Sequence, residues 1–221
     1  MDYRREIDGL RAIAVIPVIL FHAGVPYFSG GFVGVDVFFV ISGYLITSIL
    51  FRDIKSGGFS FTHFYERRVR RIAPALFLVM FVSVFLSWFV LLPADMKAFS
   101  QSLVSISLLS PNLFFWLQTD YFSSAAEMNP LLHTWSLGVE EQFYVFWPLI
   151  ILFIWKFQRK HQVVFLIAAC SVSFFAMEYS RTESTSFALY QFPTRAWELI
   201  FGAQAALFLN SKDGRNFGPH T

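Results

Sequence analysis

Long uncharged stretches alternate with short charged ones along this chain. The apolar runs cover residues 10–24 (opened by Arg11 and interrupted by His22), 37–51, 74–92, 99–117, 142–155, 163–177 and 199–209. A helix needs roughly 20 predominantly apolar residues to cross a bilayer, and interfacial flanking residues complete the shorter runs. Backbone groups in hydrocarbon must pair within the segment, so helices are the default, and no period-two alternation competes with them. The pattern predicts an all-α protein, a polytopic transmembrane helical bundle of six to seven spans.

Lysine and arginine near span ends prefer the cytoplasm. Arg4, Arg5 and Arg11 lie before or at the start of the first run, and Arg52, Lys55, Arg67, Arg68, Arg70 and Arg71 lie between the second and third. Two crossings separate these groups, which places both inside, with the N-terminus cytoplasmic. If all seven runs cross, Lys156, Arg159, Lys160, Lys212 and Arg215 fall outside. If 99–117 instead enters and returns, only Lys97, Arg181 and Arg195 do. That run also holds Gln101, Ser102, Ser105, Ser107, Ser110, Pro111 and Asn112. Irregular backbone at depth is tolerated where it is buried in protein or lines a cavity. Six crossings and one re-entrant or interior segment are expected.

Composition agrees: 56% of residues are apolar and 14% charged, against about 25% charged in a soluble domain. Soluble-enzyme and nucleic-acid-binding readings fail on that ground. Cys170 is the only cysteine, so neither a disulfide framework nor a thiolate metal site is available. The histidines show no helical pair of metal-ligand spacing, and no metal is expected. A signal peptide is disfavoured by Asp2, Glu6 and Asp8 and by the lack of a small-residue cleavage pattern.

Ionisable residues inside spans are expensive, which makes them functional candidates. His22 follows Arg11 by three helical turns with about 20° of drift, so the two share a face roughly 16 Å apart along the axis. Pro17 falls between them and is expected to kink the helix. The alternative is a structural histidine bonded to a carbonyl. Asp36 opens the second span among Gly30, Gly31 and Gly34; it is an N-cap, a functional carboxylate, or both at once. His133, Ser136, Glu140, Tyr144 and Trp147 fall within an arc of about 80° on a helical wheel, with Glu141 pointing away. That stripe is either a site or a packing ladder of hydrogen bonds. Arg195 and Glu198 either face substrate or pair with each other at i,i+3. Arg67, Arg68, Arg70 and Arg71 suit phosphate, because guanidinium binds it bidentately. Lipid headgroups or the positive-inside preference offer the plainer account.

Four segments carry a resemblance: Arg11 and His22 ten residues apart, Gly34 to Tyr44, Phe64 to Arg68, and His133 to Tyr144. Together the chain resembles acyltransferase family 3, the bacterial O-acetylase group that includes O-antigen- and peptidoglycan-modifying enzymes. The resemblance implies a membrane acyltransferase domain over residues 1–209 and a polar tail over 210–221. The domain is expected to be incomplete at its C-terminus, since family members carry further spans and often a periplasmic SGNH-type domain, here absent or supplied by a partner. It implies acetyl-CoA from the cytoplasm as donor substrate, no bound cofactor, and His22 as the catalytic residue. The acceptor implied is a hydroxyl of an envelope glycan or lipid-linked sugar of the lipopolysaccharide O-antigen, exopolysaccharide or peptidoglycan type. The implied location is the bacterial inner membrane, with membrane lipids as neighbours.

The chemistry fits the residues on its own terms. Attack of a hydroxyl on a thioester needs a base near neutrality, and imidazole titrates at about 6.5. Asp36 or Glu140 is the candidate carboxylate to hold its tautomer. Arg11, Arg67, Arg68, Arg70 and Arg71 are the candidate donor-binding residues. His133, Ser136, Tyr144, Arg195 and Glu198 are the candidate acceptor-binding residues. Two other classes compete, a glycan or lipid transporter or flippase and an inactive truncated relative. The first usually shows internal repeats, and none is visible here.

Overall fold

The computed structural model describes residues 5–118 and 129–212. Among these the regular structure is helical throughout: α1 (Arg5–His22), α2 (Gly34–Lys55), α3 (Phe61–Val90), α4 (Pro93–Ser107), α5 (Pro111–Gln118), α6 (Trp135–Trp155), α7 (Arg159–Glu183), α8 (Thr185–Tyr190) and α9 (Phe192–Lys212). Short 3-10 turns over Gly31–Val33 and Leu132–Thr134 lead into α2 and α6. Local chemistry sets several boundaries. Ser60 caps α3 by accepting from the His63 amide, and Ser184 caps α8 by accepting from that of Phe187, in each case satisfying an otherwise orphaned donor. Pro93 starts α4 at a position where a missing N–H loses nothing. Of the expected polar tail, residues 213–221 lie outside the described residues.

Four segments among the described residues are long and apolar enough to cross a membrane: Gly31–Lys55, Phe61–Val90, Leu132–Trp155 and Arg159–Glu183. This is fewer than the six to seven crossings expected. Arg5, Glu6, Asp8 and Arg11 crowd α1, and Arg195 and Glu198 sit in the first turns of α9, so neither helix is as uniformly apolar. The run over 99–117 is divided between α4 and α5. The helix stops at Ser107, and Leu109 takes a left-handed φ of 55° before Pro111 restarts it. Its polar residues divide: Ser102, Ser105 and Asn112 are buried in protein, whereas Gln101 and Ser107 are exposed.

The chain forms two compact units. The first comprises Met1–Lys55, Leu149–Phe175 and Arg195–Thr221. Here α1 packs on α2 through glycine. A side chain at Gly31 would meet the Pro17 carbonyl, and one at Gly34 would meet that of Ala14. The α2–α9 contact is built the same way, with Gly43 against the Leu199 carbonyl and Gly202 against that of Val40. Small residues let helix backbones touch where apolar burial supplies no drive between spans. Between α7 and α9, polar groups close the gaps: the Trp197 amide donates to the Ser173 hydroxyl at 2.9 Å and Gln204 donates to the Leu166 carbonyl at 3.1 Å.

The second unit comprises Ser56–Pro148 and Ala176–Thr194. Its core centres on Phe99, Ile106 and Leu131, with Leu76 and Met80 of α3 packed against them. Asn112 ties three elements together. Its amide donates to the Tyr190 carbonyl at 3.1 Å, and its oxygen accepts from Gln142 of α6 at 2.9 Å. Gly138 makes room for it, since a Cβ there would press on the Asn112 oxygen and the Pro111 ring.

Candidate active site

In the first unit, α1 carries Arg11 and His22, with Pro17 inside the helix between them. Arg11 is half-buried; its guanidinium lies 5.4 Å from the centre of the Phe38 ring and 3.9 Å from Asp8. His22 ends the helix with its ring exposed and edge-on to Phe21. Its Nδ1 lies 2.8 Å from the Val18 carbonyl oxygen. A carbonyl can only accept, so Nδ1 is protonated, and the neutral tautomer compatible with this contact has its lone pair on Nε2. The carbonyl bond foreseen as the plain structural alternative therefore exists, and it sets the tautomer a general base needs.

Asp36 does not supply that orienting contact. Its carboxylate is held by Arg195, 159 positions away in the sequence, and among the described residues it makes no hydrogen bond to His22. Arg195 also forms an ion pair with Glu198 at 3.1 Å, and its guanidinium lies 5.5 Å from the centre of the Phe39 ring. The expected i,i+3 pair is present, and Asp36 makes it a triad. The side chains of Arg195 and Glu198 are 10% and 0% exposed, so water contributes little to holding these charges. Asp36 is the third residue of α2, inside the helix rather than at its N-cap, and its described hydrogen bond is to Arg195.

In the second unit the four arginines separate by burial. Arg70 and Arg71 are exposed, with Arg70 on Glu66 at 2.8 Å, and Arg67 is half-buried. Arg68 is buried, its guanidinium lying 5.6 Å from the ring centres of both Phe64 and Tyr144. The α6 stripe behaves partly as foreseen. Glu140, Tyr144 and Trp147 are buried on one face. His133 lies instead in the 3-10 turn before the helix and is exposed, and the Ser136 hydroxyl donates back to its carbonyl at 3.2 Å. Glu141, which the wheel turns away from the stripe, lines a cavity of about 280 Å³ together with Arg68, Ile72, Leu76, Met80 and Gly138. Sequence reasoning passed over Glu141 and over the Asp36–Arg195 pair. The only signal for the latter was an unmatched acid and base, both placed on the outer side by the charge rule.

Comparison with known proteins places the chain among acyltransferases. The family described as Acyltransferase domain matches residues 4–216. Similar curated proteins include YrhL of Bacillus subtilis, 37% identical over 93% of this chain. They also include the peptidoglycan O-acetyltransferase OatA of Listeria monocytogenes, 36% identical over 92%, and the O-acetyltransferase OatA of Staphylococcus aureus, 37% identical over 90%. The matched regions cover 33%, 34% and 34% of those proteins, so the chain spans about a third of their length. No solved structure matches the chain.

Proposed function

We propose, since the chain belongs to the acyltransferase family whose domain it carries over residues 4–216, that it is the membrane part of an O-acetyltransferase using cytoplasmic acetyl-CoA. The acceptor is a hydroxyl of an envelope glycan. The peptidoglycan O-acetyltransferase activity in the name of the Listeria relative favours peptidoglycan or its lipid-linked precursor over lipopolysaccharide. The observation that carries the reading is the Nδ1–Val18 contact, because it selects the neutral tautomer whose lone pair lies on Nε2, the form a general base uses.

In the reaction, the acceptor oxygen attacks the thioester carbonyl carbon while its proton passes to Nε2. The tetrahedral intermediate collapses with loss of the thiolate, which takes the proton back from the imidazolium. The products are an acetyl ester and the free thiol. Asp36 is committed to Arg195, and Glu140, buried within the second unit, is a further candidate catalytic carboxylate. The exposed Arg70 and Arg71 with Arg67 suit the donor's phosphates, and Arg11 lies at the cytoplasmic mouth of α1. His133, Ser136 and Tyr144 are assigned to the acceptor side.

Exchanging Arg67, Arg70 and Arg71 for glutamine together is expected to raise KM for acetyl-CoA by at least about tenfold, with kcat changed far less. Loss of one charge-assisted hydrogen bond, about 1.5–3 kcal/mol, suffices for that. Donor titration of labelled acetyl transfer in membranes reads the effect. An unchanged KM would remove the phosphate role from this cluster.

A further inference from the structure

The cavity beside α3 has no part in the reaction above, and its form points to a different ligand. Arg68, Ile72, Leu76 and Met80 succeed one another at four-residue spacing along its α3 wall, a stripe about 18 Å long. Val69, Phe77 and Leu109 also line it and are themselves exposed. The cavity therefore opens sideways out of its helices, and around a membrane-spanning α3 that opening faces hydrocarbon. At one end stand two charged side chains. Arg68 is only 9% exposed, and its Nε–H has no hydrogen-bond acceptor among the described residues; Oε1 of Glu141 has no donor. The two interact electrostatically without closing into an ion pair. A buried donor and a buried acceptor, held side by side and unmet, call for a ligand group that supplies both partners.

We propose that this cavity binds one membrane phospholipid of the ethanolamine type. Its acyl chain lies along the Ile72–Leu76–Met80 stripe, its phosphate accepts from Arg68 Nε–H, and its ammonium donates to Glu141. Phosphate is the natural partner of a guanidinium, and the ammonium of an ethanolamine headgroup supplies the donor that Glu141 Oε1 is without. A choline headgroup fits less well, because its nitrogen has no N–H to give Glu141. A lipid tail enters through the lateral opening without leaving the bilayer, whereas a water-borne thioester would have to pass the charged end first.

The test uses the chain reconstituted in vesicles of equal phosphatidylethanolamine and phosphatidylcholine, with a trace of ethanolamine lipid carrying a photoreactive group in its acyl chain. After detergent extraction and washing, the sample is irradiated and retained lipid is identified by native mass spectrometry. Retention of phosphatidylethanolamine over phosphatidylcholine is expected, with crosslinks at residues 72–80 and 106–111 and none at 81–90. Ala73→Phe, which fills the cavity, is expected to abolish both while its melting curve matches the parent. Glu141→Gln is expected to remove the preference for ethanolamine. Three results would each overturn the proposal. They are loss of all lipid on washing, retention unchanged in Ala73→Phe, and displacement of the lipid by acetyl-CoA, which would assign the cavity to the donor.

Discussion

His22→Ala is expected to lower acetyl transfer by about 10²–10⁴-fold, the usual contribution of a positioned general base, while leaving the helices folded. The asymmetry follows from where the side chain sits. Its ring is exposed at the end of α1, and the one structural bond described for it runs to a carbonyl in the same helix turn. Removing that bond disturbs little packing. Removing Nε2 takes away the group that accepts the hydroxyl proton. Initial rates in membranes, set beside melting curves in detergent, separate the two. A variant that keeps its rate would transfer the role to another base; one that loses rate and fold together would make the histidine structural.

Arg195→Met is expected to act in the opposite way, on stability first. It removes the only cation in a triad whose Glu198 is fully buried and whose Asp36 opens α2. Two carboxylates then face each other across an apolar gap. Breaking a buried pair by taking one partner typically costs about 3–5 kcal/mol, a large part of the stability of a domain this size. The loss appears as a lower melting temperature in detergent. Asp36→Asn and Glu198→Gln added to Arg195→Met are expected to restore most of it, because a neutral set of similar volume no longer strands a charge. If the triple variant melts no higher than the single one, the stabilisation lies in the shape of Arg195 over Phe39 rather than in its charge.

The helices could be read from the chain because the solvent change is abrupt. Apolar runs end at charged or capping residues, and Ser60 and Ser184 start helices where such residues should. Crossing number was less legible. Apolarity is a property of a whole segment, and α1 opens with the exposed charges Arg5, Glu6 and Asp8 while α9 buries Arg195 and Glu198 in protein. The polar content of 99–117 marked it as unlike the other runs, and Ser102, Ser105 and Asn112 of it are buried in protein, since hydrocarbon offers such groups no partner. The Asp36–Arg195 contact was not visible, because nothing local links positions 159 apart. Glu141 was passed over for a related reason. A wheel sorts residues by the face of one helix, and Arg68, which lines the same cavity, stands on another.

The central claim is tested most directly by sidedness of transfer. Sealed membrane vesicles holding the chain are prepared inside-out and right-side-out, and each is given membrane-impermeant labelled acetyl-CoA with an envelope glycan acceptor inside and out. The account predicts label in the lumenal glycan of inside-out vesicles, none from right-side-out vesicles, and none from either with His22→Ala. Equal labelling from both orientations, or labelling that survives His22→Ala, would contradict it.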